Sequence, residues 1–313
     1  MSARWRRAGL SAAAVLAMVL AGCQAKARGP REFDGARAFT YLEAQMKFGP
    51  RIPNTPGHDS CGAWIEAQLR RTADTVIVQE FTVTNKQGER IRLKNYLARF
   101  RPHAADHVLY LAHWDTRPRA DQAPNLGNQR KPVPGADDGA SGTAVLLGVA
   151  DVLKGRAPTV GVDLLFVDGE DFGNFDTATL DSAFSDVLMG SRYFAKHLPQ
   201  EGYAPLMAVL FDMVGAKNLA IPVEQYSQAF APEVVDRVWH VADSLGYGSI
   251  FQRQPGPSLI DDHTMLQHAG IHAIDVVDFD GYHAYWHTVD DTIDKVSAES
   301  LQIVGDVAVA LVR

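Results

Sequence analysis

Cysteine is scarce in this sequence, and basic residues form no extended block. Only Cys23 and Cys61 occur among the 313 residues, so Cys61 has no partner within the chain if Cys23 is modified. Cys61 lies among apolar residues of a predicted helix, which favours a buried, inert thiol over a nucleophile. The formal net charge is −7, and we therefore expect no nucleic acid partner.

The N-terminal apolar run, residues 10–21, is too short for a transmembrane helix. It follows a charged head formed by Arg4, Arg6 and Arg7. A basic head before a short apolar run is typical of a secretory signal peptide. We therefore expect the protein to be secreted across the inner membrane.

The end of this run, Leu20-Ala21-Gly22-Cys23, resembles a bacterial lipobox. In such a motif the cysteine becomes the lipidated first residue. Cys23 would then be the only membrane contact, on the periplasmic side or in the cell envelope. The alternative is an ordinary signal peptide followed by a chance cysteine. The predicted organisation is a lipoprotein signal peptide at 1–22, a tether at 23–35 and a catalytic domain at 36–313.

Apolar runs alternate with helical patterns along the second half of the chain and predict buried parallel strands. Two earlier β-rich stretches, joined by a turn near Gly88, predict a hairpin. The chain has no repeat and no low-complexity tract. We expect a single α/β domain with a central twisted, mostly parallel mixed sheet flanked by helices. The predicted strands are 75–83, 92–100, 108–112, 160–167, 206–211 and 271–277, and the predicted helices are 39–48, 59–71, 140–153, 190–196, 232–245, 262–267 and 297–311.

Acidic and imidazole side chains follow several of these predicted strands directly. His113, Asp168 and Asp212 each come at the end of an apolar run. In open α/β sheets, ligands bind in the crevice at the carboxyl ends of the strands. Acids gathered in one crevice repel one another unless a cation or a shared proton is present. The pattern therefore predicts a metal site.

Each of these residues alone permits a simpler interpretation. Asp138 precedes a predicted helix and could be only its N-cap. His287 could be structural, and Trp286 could be part of the core. The long loop at residues 116–133 contains proline and asparagine, and a loop of that length in a compact domain is usually functional.

In combination, the motifs resemble the M28 zinc aminopeptidase family and, within its fold, the secreted bacterial glutaminyl cyclases. The resemblance runs from Arg51-Ile52-Pro53 to the last helix, and both the order and the spacing of the motifs match. These motifs are Ala112-His113-Trp114-Asp115, Gly135-Ala136-Asp137-Asp138, Asp168-Gly169-Glu170-Asp171, Gly190-Ser191-Arg192, Asp212-Met213-Val214-Gly215-Ala216, Asp261-Asp262-His263 and Trp286-His287-Thr288-Val289-Asp290-Asp291.

The resemblance implies a zinc site and a general acid/base. Asp138, Asp171 and His287 would be the zinc ligands. Three protein ligands leave one tetrahedral position open, which is the catalytic arrangement. Glu170 would transfer protons beside the metal.

The resemblance also implies how the substrate is held. Asp212 and Asp261 would form a hydrogen-bonded acidic pair next to it, and Trp286 would line the pocket for its side chain. Asp115 would orient His113 from behind.

Two reactions are compatible with these residues. A cyclase would use one Zn²⁺ and convert the N-terminal glutamine of peptides or proteins to pyroglutamate, releasing ammonia. A metallo-aminopeptidase would use two Zn²⁺, with Asp138 bridging them, His113 and Asp212 completing the second site, and Glu170 activating water.

One position separates the two reactions. Aminopeptidases of this fold generally have serine where this chain has Asp261, and the additional acid matches the cyclases. Some proteins of this fold are receptors or scaffolds that have lost the metal, and such proteins should also lack the residues that coordinate it. Here every metal-contact position holds a residue type that can coordinate zinc, which favours an enzyme.

Overall fold

The computed structural model describes residues 31–175, 185–280 and 284–313. The predicted signal peptide, Cys23 and most of the predicted tether lie outside the described residues, and so does the middle of the polar insertion after Gly173. Glu32–Arg313 forms one compact unit. Within the described ranges, no helix has both the length and the apolar character needed to cross a bilayer.

The helices and strands alternate as the apolar pattern predicts. The strands are β1 (Thr75–Thr84), β2 (Arg90–Phe100), β3 (His107–His113), β4 (Gly161–Val167), β5 (Met207–Asp212), β6 (Ile221–Val223), β7 (Phe251–Pro255) and β8 (Ala273–Val277). The helices are α1 (Gly35–Met46), α2 (Pro56–Thr72), α3 (Ala140–Gly155), α4 (Met189–Lys196), α5 (Gln225–Phe230), α6 (Pro232–Ser244), α7 (Asp262–His268) and α8 (Ala298–Ala310), with a short 3₁₀ helix at Ile293–Lys295.

A six-stranded mixed sheet, in the order β1-β2-β4-β3-β5-β8, forms the centre of the domain. Strands β4, β3, β5 and β8 pair in parallel. At one edge of the sheet, β2 pairs with β4 and β1 pairs with β2, both in antiparallel orientation. The four parallel strands are buried along their whole length, which explains their continuous apolar sequences. The predicted fold class is therefore confirmed.

Alternate residues of the central strands face two different layers of helices. Tyr110 belongs to a core with side chains of α1, α3 and α8, and its hydroxyl donates to the carbonyl oxygen of Ala308 at 2.8 Å. Leu109 and Leu111 belong to the opposite core, with Phe194 of α4 and Leu266 of α7. Because both faces are covered, the carboxyl edge of the parallel strands is the open crevice of the fold.

Two predicted boundaries differ from the structure. The folded unit begins at Glu32, before the predicted domain start at residue 36, because Phe33 is buried against Gly148 and Gly305. The N-cap of α2 is Thr55, which accepts a hydrogen bond from the backbone N–H of His58, and the predicted N-cap Asp59 lies inside the helix. Pro56 follows Thr55 and fits the first turn, where a missing N–H costs nothing.

Candidate metal centre and active-site pocket

The parallel strands bring the predicted polar residues to one edge of the sheet. His113 is the last residue of β3, Asp212 is the last residue of β5, and Glu170 and Asp171 follow β4. Nε2 of His113 lies 3.2 Å from Oδ1 of Asp212. The crevice inferred from the sequence is thus the place where these side chains meet.

Asp138, Asp171 and His287 form one group of possible metal ligands, called here the first cluster. Nε2 of His287 lies 3.3 Å from Oδ1 of Asp171 and 3.5 Å from Oδ2 of Asp138. All three residues are buried. The three residues that the sequence proposes as zinc ligands therefore lie together.

His113, Asp138 and Asp212 form a second group, called here the second cluster. Nε2 of His113 lies 3.1 Å from Oδ1 of Asp138. Asp138 belongs to both clusters and turns a different oxygen towards the histidine of each one. A carboxylate with one oxygen facing each cluster has the geometry that a bridging ligand requires.

The residues present fit zinc. Zinc–nitrogen and zinc–oxygen bonds of about 2.0–2.2 Å in a tetrahedron separate the ligand atoms by roughly 3.3–3.5 Å. The histidine–carboxylate separations given above fall close to this spacing. Oδ2 of Asp171 is also buried without a hydrogen-bond partner among the described residues, which leaves it available to a cation.

Asp138 is held by its backbone. The carboxylate of Asp291 accepts hydrogen bonds from the backbone N–H groups of Asp137 and Asp138, at 2.8 and 3.2 Å. Gly139 is the N-cap of α3, and no side chain makes the capping hydrogen bond. A Cβ atom on Gly139 would lie 2.5 Å from the His113 ring, so only glycine fits there. The simpler interpretation of Asp138 as the helix cap is therefore wrong.

Asp115 lies between β3 and the turn that follows β4. Its carboxylate accepts hydrogen bonds from the backbone N–H groups of Glu170 and Asp171, at 3.1 and 3.2 Å. One of its oxygens also lies 3.5 Å from Nδ1 of His113. Asp115 thus fixes the turn that carries Glu170, a contact that the sequence did not predict, and its role in orienting His113 stays a prediction.

Asp168 does not enter the crevice. Its carboxylate pairs with Nε2 of His58 at 2.9 Å and accepts a hydrogen bond from the backbone N–H of Lys94 at 2.7 Å. The ring of His58 stacks on Trp114, with centroids 4.2 Å apart. Asp168 is therefore a buried structural residue that anchors the start of the Glu170 turn, and no local sequence signal marks His58 as its partner.

Arg117 is a site residue that sequence reasoning missed. Its Nη1 donates to Oδ1 of Asp171 at 2.6 Å, and the rest of its guanidinium binds Asp121. Burial raises the pKa of Asp171, but the charges of His287 and Arg117 outweigh this effect and hold it at about 2. Asp171 is therefore ionised, as a metal ligand must be.

A pocket of about 390 Å³ opens beside the two clusters. Glu170, Asp212, Asp261 and Trp286 all line it, together with ligand candidates of both clusters. The apolar part of its wall consists of Phe175, Met213, Leu259, Ile260, Val277 and Phe279. Every catalytic and substrate-binding residue inferred from the sequence therefore borders one cavity.

Trp286 belongs to this wall. Its ring stacks on His287, with centroids 3.8 Å apart, and meets Phe279 edge-on at 5.1 Å. The side chain is only partly buried, which agrees with a pocket position and not with the interior of the core.

Two acids that line the pocket, Glu170 and Asp261, have raised pKa values. Burial raises the pKa of Glu170 well above its usual range, and the charges of Asp171 and Asp261 raise it further. Burial and the charge of Asp212 raise the pKa of Asp261 to about 7. A group with a pKa of about 7, such as Asp261, exchanges protons near neutral pH. The hydrogen bond expected between Asp212 and Asp261 stays a prediction.

Comparison with known proteins agrees with this geometry. A model of peptidase family M28 matches residues 95–312. The crystal structure of a Zn-dependent exopeptidase from Parabacteroides distasonis is similar, with a TM-score of 0.85, 34% identity and coverage of 91% of this chain and 99% of that chain. A glutaminyl cyclase from Bacteroides thetaiotaomicron, bound to N-acetylhistamine, has a TM-score of 0.85, 32% identity and coverage of 90% and 98%.

A curated relative carries a different activity in its name. Aminopeptidase YwaD of Bacillus subtilis is 25% identical over 297 residues, which is 90% of this chain. The present chain spans 57% of the length of that protein. The similar proteins thus include both a glutaminyl cyclase and peptidases.

Proposed function

Because the chain belongs to peptidase family M28, whose members are zinc-dependent enzymes, we propose that it is a glutaminyl-peptide cyclotransferase. Its substrates would be peptides or proteins with an N-terminal glutamine, which it converts to pyroglutamate with release of ammonia. The observation that carries this proposal is the position of Asp261. This acid lines the same pocket as Glu170 and Asp212, whereas aminopeptidases of this fold generally have serine there.

Asp138, Asp171 and His287 would hold one zinc ion. When bound, zinc supplies a Lewis acid that polarises the γ-carboxamide carbonyl of the substrate glutamine. The fit of the first cluster to tetrahedral spacing supports this assignment. The partly exposed Trp286 and the ring of Phe279 would enclose the glutamine side chain and exclude water.

Ring closure needs no second reactant. The α-amine of the substrate attacks its own γ-carbonyl carbon, a new C–N bond forms, and the bond to the side-chain nitrogen breaks. Glu170 accepts a proton from the attacking amine and delivers it to the departing ammonia. The raised pKa of Glu170 suits both halves of this transfer. The remaining task of the site is orientation, which can contribute a large share of rate enhancement.

Asp212 and Asp261 would hold the amine in position. Two carboxylates that share one cavity favour a state with one proton between them. Such a pair can accept a hydrogen bond from the amine while it donates one to the substrate. A hydrolase that only activates water gains little from this additional acid, and this difference favours the cyclase.

The N-terminal features extend the proposal to the location of the enzyme. With a signal peptide at 1–22 and lipid on Cys23, the catalytic domain would be tethered to a membrane on the periplasmic side or in the cell envelope. Its substrates would then be exported peptides and proteins, and nucleic acid would not be a partner.

A two-zinc aminopeptidase is the alternative, and one observation favours it. The two oxygens of Asp138 face the histidines of two separate clusters, and His113 and Asp212 complete the second cluster. In that enzyme Glu170 would activate a water molecule for attack on a peptide bond.

The exchange of Asp261 for serine tests the proposal. We expect Asp261→Ser to lose cyclisation of a Gln-initiated peptide by at least about 100-fold while it still binds zinc, since general acid/base groups contribute about 10²–10⁴-fold. Asp261→Asn is the matched control, because it keeps the shape and removes only the charge and the proton. An Asp261→Ser enzyme that cyclises at the wild-type rate would contradict the proposal.

A further inference from the structure

Two side chains on the loop after β3 form a brace behind the first cluster. The guanidinium of Arg117 donates from Nε to Oδ1 of Asp121 at 2.8 Å and from Nη2 to Oδ2 of Asp121 at 2.6 Å. The remaining nitrogen, Nη1, donates to Oδ1 of Asp171 at 2.6 Å. The Arg117 side chain is only 5% exposed. Buried, charge-assisted forks of this kind are among the stronger and more directional contacts in proteins.

The same loop also holds His287. The backbone N–H of Gln122 donates to the carbonyl oxygen of His287 at 3.2 Å. Oδ1 of Asp121 lies 3.8 Å from Nδ1 of the His287 ring, which is buried and has no hydrogen-bond partner among the described residues. The loop therefore contacts two residues of the same cluster that are far apart in sequence, Asp171 through the side chain of Arg117 and His287 through the backbone of Gln122.

Arg117 holds the Asp171 carboxylate through one oxygen. Oδ1 accepts the hydrogen bond from Arg117 and lies 3.3 Å from Nε2 of His287, whereas Oδ2 is buried without a hydrogen-bond partner in the described part of the chain. Because each carboxylate oxygen has two lone pairs, the arginine fixes the orientation of the carboxylate and still leaves it able to bind a cation. A ligand already fixed in its binding geometry loses less conformational freedom when the metal binds.

The second cluster lacks a matching arginine. Asp115, on the same loop, lies 3.5 Å from Nδ1 of His113, but among the described residues no arginine or lysine forms a hydrogen bond or ion pair with the Asp212 carboxylate. An arginine therefore holds a carboxylate of the first cluster, and none holds Asp212 of the second.

We propose that Arg117 and Asp121 are positioning residues that give the first cluster the higher zinc affinity, so that it fills before the second cluster. This inference rests on the proposed function only in taking Asp138, Asp171 and His287 as zinc ligands. It holds for either reaction. It also explains how one chain can have two clusters and still work with one tightly bound zinc ion.

The test is a zinc titration of the full-length, metal-stripped protein against a competing chelator. We expect Arg117→Met to weaken binding of the first zinc ion by about 10–100-fold, the usual effect of removing a partner behind a metal ligand. The zinc affinity of Arg117→Lys should lie between those of Arg117→Met and the wild type, because an ammonium keeps the charge but cannot hold Asp121 and Asp171 together. Arg119→Met is the matched control, since Arg119 is exposed in the same loop, and it should bind zinc like the wild type.

A second readout separates positioning from general loss of structure. The cobalt-substituted Arg117→Lys protein should show a changed visible absorption spectrum, because the orientation of Asp171 changes, while its far-UV circular dichroism matches the wild type. If Arg117→Met does not fold, Arg117→Lys and Asp121→Asn carry the test. Wild-type affinity for the first zinc ion in the folded Arg117 variants would overturn the inference, and so would an equal loss in Arg119→Met.

The failure of this inference differs from a failure of the ligand assignment. If Asp171→Ala keeps its zinc, the ligands proposed for the first cluster are wrong. If Asp171→Ala loses its zinc but Arg117→Met and Arg117→Lys bind normally, the ligands are right and the brace has no role in affinity.

Discussion

The indole ring of Trp286 lies nearly flat on the imidazole of His287, with centroids 3.8 Å apart and planes at 25°. The tryptophan therefore touches both a possible zinc ligand and the cavity beside it. A residue enclosed in the core would not border that cavity. The pair connects the wall of the cavity to the geometry of the metal site.

We expect Trp286→Ala to raise KM for a Gln-initiated peptide about tenfold, which corresponds to about 1.4 kcal/mol of binding free energy. Zinc content should stay close to that of the wild type, because the ring supports His287 but offers no ligand atom. Trp286→Phe, the control, keeps an aromatic surface and should lose less. Steady-state kinetics with the metal-loaded variants will measure the effect, and an unchanged KM in Trp286→Ala would place the substrate elsewhere.

Glu170→Gln should lower kcat by about 10²–10⁴-fold without loss of zinc. Glu170 lines the pocket and precedes Asp171, but it belongs to neither cluster of possible ligands. Glutamine has the same shape and cannot accept the proton from the substrate amine. The measurement is turnover together with metal analysis of the same sample. A variant that retains more than a tenth of wild-type activity would remove Glu170 from the acid/base role.

Single exchanges in the two clusters should have unequal effects on zinc. We expect His287→Ala and Asp138→Ala to lose the metal and the activity, since a site with three protein ligands tolerates the loss of one poorly. His113→Ala should keep one zinc ion and a larger part of its activity. Metal analysis after dialysis distinguishes these variants. If His113→Ala loses as much as His287→Ala, and the wild type holds two zinc ions, the two-zinc aminopeptidase is favoured.

Glu224 lies outside the metal centre and makes the stability of the fold depend on pH. It is buried, caps α5 and accepts a hydrogen bond from the backbone N–H of Leu259. Burial raises the pKa of Glu224, but the imidazole of His263, whose Nε2 lies 3.3 Å from Oε2, and hydrogen bonds from backbone N–H groups hold it at about 2. A pKa below the unfolded-state value of about 4.3 stabilises the fold above that pH, and the stabilisation disappears as the pH falls through about 2.

Glu224→Gln should therefore lower the free energy of unfolding by about 2 kcal/mol at neutral pH. The difference from the wild type should shrink as the pH falls from about 5 to about 2. Denaturant unfolding of both proteins across this range measures it. A difference that stays constant with pH would mean that shape, and not charge, determines the contribution of Glu224.

The sequence predicted the central fold well because buried parallel strands leave continuous apolar runs. β3, β4 and β5 lie within two residues of their predicted bounds. β6, β7 and α5 were missed, since such short elements depend on tertiary contacts more than on local pattern. The N-cap of α2 could have been found from Thr55-Pro56, a residue pair typical of a helix start.

The sequence predicted the site residues that stand at the ends of strands. It did not predict those that depend on contacts between residues far apart in the chain. His113, Asp212 and Glu170 stand at or just after strand ends, so their meeting followed from the topology of parallel sheets. Arg117 and Asp291 contact residues 54 and 153 positions away in the chain. A single sequence carries no local signal for such pairs, and their role became visible only in the folded chain.

The most direct test of the account is to identify the products formed by the purified, zinc-loaded wild-type protein. A Gln-initiated peptide and an aminoacyl-nitroanilide are incubated with it separately, and ammonia, peptide mass and nitroaniline are followed. We predict release of one ammonia per peptide with formation of pyroglutamate, and no nitroaniline. Release of free N-terminal amino acids, with the Gln-initiated peptide left uncyclised, would contradict the cyclase and establish the aminopeptidase in its place.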